Sequence, residues 1–355
     1  MKSKLFILAV WLMAYSFACQ HPVQNEIIPV SRCLIADTVC DYPYYFQGSM
    51  FIKNSHIFMV DQFNAGDICI YHIHTGQMDH IQAGIMYDIQ TGQPKYFSMN
   101  DSTKYPDAFL QQLPLSFYQS DMSSYFTYTV ENNQVKLNRQ SFRLRGKRIN
   151  RVKQLNETKY VTLGLFRKGL LGLCDKELKL MKYYGHYPVS VPVPFDRNEM
   201  EKIVQSFQGN IACSDDYSKV VYASSGFAYL SCYHFTGSKL KFQWEKHIVP
   251  PPATKIVDGF LESNKNVTQG GFSDVTVAGD YIFAGYTQSK ITDAIPDTTH
   301  SILVYDMSGI HLATYHIDSS ISSIVVDTEE GVLYGISREV KWEPVIVRFH
   351  LDKFN

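Results

Sequence analysis

The stretch Gln205–Tyr233, QSFQGNIACSDDYSKVVYASSGFAYLSCY, reads as three short strands and their turns. Asn210 to Cys213, Lys219 to Ala223 and Phe227 to Tyr233 are rich in Val, Ile, Tyr and Phe, which suit a pleated, half-buried surface. Ser214-Asp215-Asp216 supplies the first turn, because short polar side chains bond back to the local backbone there. The unit ends at Tyr233-His234 with Gly237. Similar endings stand at Tyr71-His72 with Gly76, at Tyr305-Asp306 with Gly309, and at Phe349-His350. A unit recurring along a chain means a repeat architecture.

Outward from that stretch the same grammar continues. His56 to Asp61 and Asp67 to Ile73 flank one turn, Tyr125 to Val130 and Gln134 to Leu137 another, and Tyr160 to Phe166 precedes Gly169 to Cys174. Asp274 to Val277, Tyr281 to Tyr286 and Ile302 to Tyr305 make a further set, and Ile321 to Val326, Val332 to Ile336 and Pro344 to Phe349 the last. Many short strands with regular turn signals predict a sandwich, barrel or propeller. Third strands fall near Tyr71, Val130, Leu173, Tyr233, Tyr305 and Phe349, and blades of four strands each fit an all-β, six-bladed β-propeller of antiparallel blades. The chain stops at the third strand of its last unit, so Glu26 to Val30 is expected to supply the fourth and remove the exposed edges. One short inserted helix is predicted after Asp196, with Glu199 completing a capping-box-like start and Gly209 ending it. Pro106 to Pro114 reads as a turn or short helix, and Lys255 to Gly271 as a long loop of the kind that shapes a binding face.

Aromatic residues make up 14% of the 355 residues and charged ones 19%, which favours strands over solvated helices. The net charge of −1 offers nothing for a polyanion, so nucleic acid is not an expected partner.

The N-terminus points to export. Lys2 and Lys4 precede an apolar run from Leu5 to Ala14 that ends near Ser16-Phe17-Ala18-Cys19, which is the pattern of a secretory signal too short to span as an anchor. Ser16 and Ala18 suit ordinary signal peptidase, giving a secreted protein. Cys19 after Ala18 instead resembles a bacterial lipoprotein signal, whose cysteine is diacylated. The favoured division is a signal peptide over 1–18, a lipid-tether linker over 19–25 and a propeller domain over 26–355, with lipidation at Cys19. Cys33 and Cys40 could close a short loop as a disulfide, which export permits. Cys69, Cys174, Cys213 and Cys232 lie in strand-like runs and read as small buried hydrophobes.

Gln205–Tyr233, DYIFAGYT from Asp280, SILVYDMSG from Ser301 and SSIVVDTEEGVLYGIS from Ser322 together resemble the TolB-like six-bladed β-propeller lipoproteins of Bacteroides and relatives. The resemblance is strongest from Gln205 onward. It implies an outer-membrane lipoprotein in the cell envelope, periplasmic or surface-exposed, and carries over no catalytic residue, because these signatures describe blade construction.

The candidate chemistry is sparse. His72 and His74 share a strand face with His80 nearby, yet His72 occupies the slot of His234, Asp306 and His350, where turn hydrogen bonding is the expected role. The acidic pairs Asp215-Asp216 and Glu329-Glu330 lie in predicted turns and read as solvated. Arg139 to Lys153 holds seven basic residues and no acid. Arg143, Arg145, Lys147, Arg148 and Arg151 form a candidate patch for acidic glycans or headgroups, with an edge-blunting outer strand preferred. No GxSxG, HExxH, P-loop, GxGxxG or EF-hand pattern occurs, and no metal or cofactor is predicted.

The expected function is a non-enzymatic binding or scaffolding module that presents one ring face to a protein, peptide or glycan, since propeller faces are rigid platforms with variable loops. The alternative is a metal-assisted hydrolase or lactonase with ligands gathered from several blades at the centre. Three or four converging carboxylate, Asn or His side chains there would favour it.

Overall fold

The computed structural model describes residues 30–41, 48–53, 55–61, 68–81, 86–87, 94–95, 116–119, 124–131, 134–141, 149–188, 203–205, 207–248, 255–257, 260–262, 271–287, 299–337 and 344–352. Their regular structure is almost entirely strand, joined by turns. The chain opens with β1 (Val30–Leu34) and β2 (Asp37–Asp41), then β3 (Gly48–Lys53), β4 (His56–Asp61), β5 (Ile68–His72) and β6 (Met78–Ile81). Two short strands, β7 (Met86–Tyr87) and β8 (Pro94–Lys95), precede β9 (Ser116–Gln119), β10 (Ser124–Glu131) and β11 (Gln134–Ser141). Next come β12 (Ile149–Asn156), β13 (Lys159–Gly164), β14 (Leu171–Asp175) and β15 (Leu180–Tyr184), then β16 (Gly209–Cys213), β17 (Lys219–Ser224), β18 (Tyr229–Phe235) and β19 (Leu240–His247). The hairpin β20 (Lys255–Val257) and β21 (Phe260–Glu262) leads to β22 (Phe272–Ala278), β23 (Tyr281–Tyr286), β24 (Thr299–Asp306), β25 (His311–Asp327), β26 (Val332–Ser337) and β27 (Val345–His350).

Strands β3 to β6, β12 to β15 and β16 to β19 form separate four-stranded antiparallel sheets, and β9 to β11 a three-stranded one. The last two blades merge, because β25 serves both. Its first part, His311 to His316, pairs with β24 as an outer strand, with one further pair between Thr299 and Ile321, and from Ile321 it pairs with β26 as the inner strand of the final blade. The result is a six-bladed propeller.

Each blade face is buried against its neighbour, which explains the nearly unbroken apolar strands. On β17, Val220 and Tyr222 enter the core shared with β13 and β14, while Val221 and Ala223 enter the core shared with β22 to β24. On β18, Tyr229 and Tyr233 face one way, Leu230 and Cys232 the other. Successive side chains of a strand point to opposite faces, so a strand between two cores needs apolar residues at every position. Each buried Val, Leu or Tyr of this kind is worth roughly 1.5–3 kcal/mol. Adjacent blades are also bonded at the periphery, where Trp244 Nε1 donates to the Met307 carbonyl at 3.0 Å. Close approach is needed between β16 and β17, since a Cβ on Gly209 would lie 1.9 Å from the Ala223 carbonyl oxygen.

The ring closes as expected in kind but not in place. The fourth strand of the final blade is β2, paired antiparallel with β27, so Asp37–Asp41 and not Glu26–Val30 completes it. Val39 and Cys40 pack against the core shared by the last and first blades, which fits β2 for the closing position. Val30 instead begins β1, whose exposed side chains suit the outer rim, and β1 runs parallel to the first part of β25. Between the two strands, the Ala36 N–H donates to Asp318 Oδ1 at 2.9 Å, where β25 crosses between blades. Glu26 to Pro29 lie outside the described residues.

Other expectations divide. Leu173, Tyr233, Tyr305, Phe349 and Tyr71 do lie on third strands, whereas Val130 lies on β10, the second strand of its sheet. The helix is present at 203–205 only, with 196–202 outside the described residues. Lys255 to Gly271 is not a plain loop, since β20 and β21 pair within it. Pro106 to Pro114 are not among the described residues.

Candidate functional site at the ring centre

The first strand of each blade stands innermost, and β12, β16, β22 and the second part of β25 follow one another around the centre. Polar residues near the start of these strands link them. Asn150 Nδ2 donates to Gln208 Oε1 at 2.5 Å, joining β12 to the residue before β16. Arg151 Nε approaches Asn210 Oδ1 at 3.4 Å, and Asn210 Nδ2 donates to the Ser273 carbonyl on β22 at 2.8 Å. From β22, Asp274 Oδ2 accepts the Ile324 N–H of β25 at 3.0 Å, while its Oδ1 accepts the Val275 N–H at 2.9 Å. A belt of bonds made by polar side chains, to one another and to backbone, therefore crosses four blades.

Two cations accompany the belt. A register shift near Asn150 sets Arg151 and Lys153 on one face of β12, while Val152 is buried in the core on the other. Both side chains reach solvent, yet the guanidinium of Arg151 is pushed below its ordinary value by loss of surrounding water, an effect that Asp274 opposes. Burial likewise raises the Asp274 carboxyl to about 6, against the lowering action of its two backbone bonds and of Lys153 and Arg151. Cys213, at the end of β16, is a neutral thiol pushed up to about 12 by burial, with Lys153 pulling the other way. Among the described residues Asp274 is the one carboxylate in this belt, and no group of three His, Cys, Asp or Glu side chains is placed to hold a metal.

The basic run is split by the fold. Arg139 belongs to β11, Arg143, Arg145, Lys147 and Arg148 lie outside the described residues, and Arg151 and Lys153 belong to the inner strand β12. Arg151 and Lys153 are thus central, Arg139 stands on β11 at the outer end of its three-stranded sheet, and the alternation Arg143-Leu144-Arg145 that carries the outer-strand expectation lies outside the described residues.

The recurring aromatic-polar slot has structural partners. His72 Nε2 is 2.8 Å from Asp79 Oδ2, His234 Nδ1 is 3.0 Å from the Ser218 carbonyl, and Asp306 Oδ1 accepts the Ser308 and Ile310 N–H groups. His350 sits 3.8 Å from Asp37 on the closing strand. Asp216 accepts the Ser214 hydroxyl and the Ser218 N–H, which lowers its carboxyl to about 2, and Asp327 accepts the Glu329 and Glu330 N–H groups. Cys33 is exposed on β1 and Cys40 half-buried on β2, strands that part to pair with β25 and β27. Cys69, Cys174 and Cys232 are buried in the cores.

Asn210, Gln208 and Asp274 were not singled out from the sequence. A signal for them exists: polar pairs open inner strands at Asn150-Arg151, Ser273-Asp274 and Ser322-Ser323, against apolar second and third strands.

Residues 106–329 match the TolB-like 6-blade propeller-like family. The chain belongs to this family. No curated protein matches the sequence. Among solved structures, this TolB-like propeller is similar to a Bacteroides fragilis protein described as exported, with a TM-score of 0.52 and 8% identity over 91% of this chain and 98% of that one. A gluconolactonase of Xanthomonas campestris gives 0.48 at 10% identity over 89% of each chain. The calcium-binding protein regucalcin of Agrobacterium tumefaciens gives 0.47 at 10% identity over 91% of this chain and 96% of that one. At such identities the likeness is one of fold.

Proposed function

We propose that this TolB-like propeller is an exported, lipid-anchored module that binds a ligand at its ring centre without catalysing a reaction. The belt carries this reading. Its carboxylate already accepts two backbone N–H groups, its amides bond to one another and to backbone, and its remaining charges are the cations Arg151 and Lys153. A divalent cation needs several convergent oxygen donors with negative charge, and two nearby cations oppose it. The same surface suits recognition by rigid, preformed groups. Metal analysis by mass spectrometry of the full chain, purified in detergent without chelator, is expected to find no stoichiometric metal. One equivalent of calcium, zinc or manganese would replace this reading by the metal-assisted one.

Anchoring rests on Cys19, at the end of the apolar N-terminal run, and the exported Bacteroides fragilis neighbour accords with export. Among the described residues no helix is long and apolar enough to cross a membrane. Full-length protein produced in a bacterial host with labelled palmitate is expected to take up label and stay with membranes. Cys19→Ser is expected to abolish both. Unlabelled, soluble wild-type protein would show plain secretion.

A further inference from the structure

Arg151 and Lys153 are alternate residues of one strand, so their Cα atoms are about 7 Å apart and their side chains leave the same face. Two like charges held this close repel one another unless something answers them. Arg151 has weak internal support: a 3.4 Å approach to Asn210 Oδ1 and a 3.1 Å bond to the neighbouring Asn150 carbonyl. The Lys153 side chain makes no hydrogen bond or ion pair among the described residues, its backbone pairing with Val161 aside. Asp274 acts on both through space, but both of its oxygens are turned to backbone N–H groups, and no contact ion pair joins it to either cation. One carboxylate also leaves the trio one positive charge in excess. On an outer strand such cations would be solvated and need no explanation. Here they stand on the innermost strand, with both side chains exposed and Arg151 reaching across to the next inner strand at Asn210.

We infer that the ring centre takes a compact anionic group, a carboxylate or a phosphate, held between Arg151 and Lys153. The guanidinium would present a planar pair of donors and the ammonium a point charge, a combination that fits oxyanions of either kind. This inference rests on the binding-module reading and names its ligand class.

The test is calorimetric titration of the full-length chain in neutral detergent, at low salt and pH 7, with inorganic phosphate and with succinate. One site per chain is expected for at least one of them, and the tighter identifies the chemistry. Lys153→Met is expected to weaken it at least tenfold with an unchanged melting curve, because the exposed Lys153 side chain bonds to nothing in the described fold and the backbone pairing with Val161 is kept. Arg151→Met is expected to do the same or more, while Lys241→Met on the exposed strand β19 leaves affinity unaltered. Failure of both anions, or wild-type affinity retained by both the Lys153→Met and the Arg151→Met chains, would overturn the inference. If both anions fail while a neutral oligosaccharide such as maltotriose binds, the anion assignment falls and the binding reading stands.

Discussion

A chain carrying Thr38→Pro and Val39→Asp unfolds at a temperature roughly 5–10 °C lower than the wild type and forms oligomers on warming. The reason lies in the closure. Thr38 pairs with Val347, and Val39 packs on the core between the last and first blades. Proline removes a ladder donor and distorts the strand, and a carboxylate at 39 enters a site built for an apolar side chain. Together these cost roughly 3–5 kcal/mol, more than the exposed pair between Arg348 and Asp37 at 3.4 Å can offset. Once β2 detaches, β27 becomes an edge whose Val345, Ile346, Val347 and Phe349 are normally buried. Such an edge pairs with other chains. Calorimetry with light scattering reads both effects. A monomer with the wild-type melting temperature would mean that the ring does not depend on its N-terminal strand.

Asp274→Ala is expected to cost roughly 2–5 kcal/mol, because the Val275 and Ile324 N–H groups both lose their acceptor inside the fold. Asp274→Asn is milder, since the amide keeps one acceptor but sets its NH2 against the other backbone donor. The pH dependence is more telling. The carboxyl titrates near 6 in the fold, above its unfolded value of about 3.9. Its contribution to stability is therefore fully present below about pH 4 and lost as pH rises through about 6, the reverse of an ordinary salt-bridged acid. Relative to Asp274→Asn, the wild type is expected to lose about 2–3 kcal/mol between pH 4 and pH 7 in denaturant titrations. Parallel curves for the two chains would contradict the burial of this carboxyl. Asp216 acts in a separate window: its carboxyl is lowered to about 2, so its contribution stands above about pH 4 and disappears as pH falls through about 2. At the ring centre, protonation of Asp274 removes a negative charge that acts on Arg151 and Lys153, so affinity for an anion of constant charge, such as sulfate, rises as pH falls through about 6.

Much of the blade construction was legible. Lys219-Val220-Val221-Tyr222-Ala223 is apolar at successive positions because both faces of β17 are buried, and Asp306 with Gly309 marks a turn whose backbone donors the carboxylate accepts. Closure was legible as a need and misplaced as a segment. Glu26 to Val30 offers Ile27, Ile28 and Val30, while Asp37–Asp41 offers chiefly Val39 and Cys40. An outermost strand pairs through its backbone and buries little, so its side chains announce it weakly. Val130 was placed one strand too far for a related reason, since the three-stranded sheet is preceded by a long, irregularly patterned stretch.

The candidate site was the least legible part. Arg151 and Lys153 flank the single apolar residue Val152 between Asn150 and Gln154, as on many solvated strand faces, and the polar pair Ser273-Asp274 opening a strand is a weak signal that names no partner. The sequence by itself determined the repeating strand-and-turn units and the apolar faces that must be covered by neighbouring blades, because both are written in a local pattern of side chains. Only the tertiary structure decided that Asp37–Asp41 closes the ring and that Asn150, Arg151, Asn210 and Asp274 meet at its centre. Those residues are separated by as many as 124 positions, and what brings them together is the packing of one blade on the next, which no local pattern records.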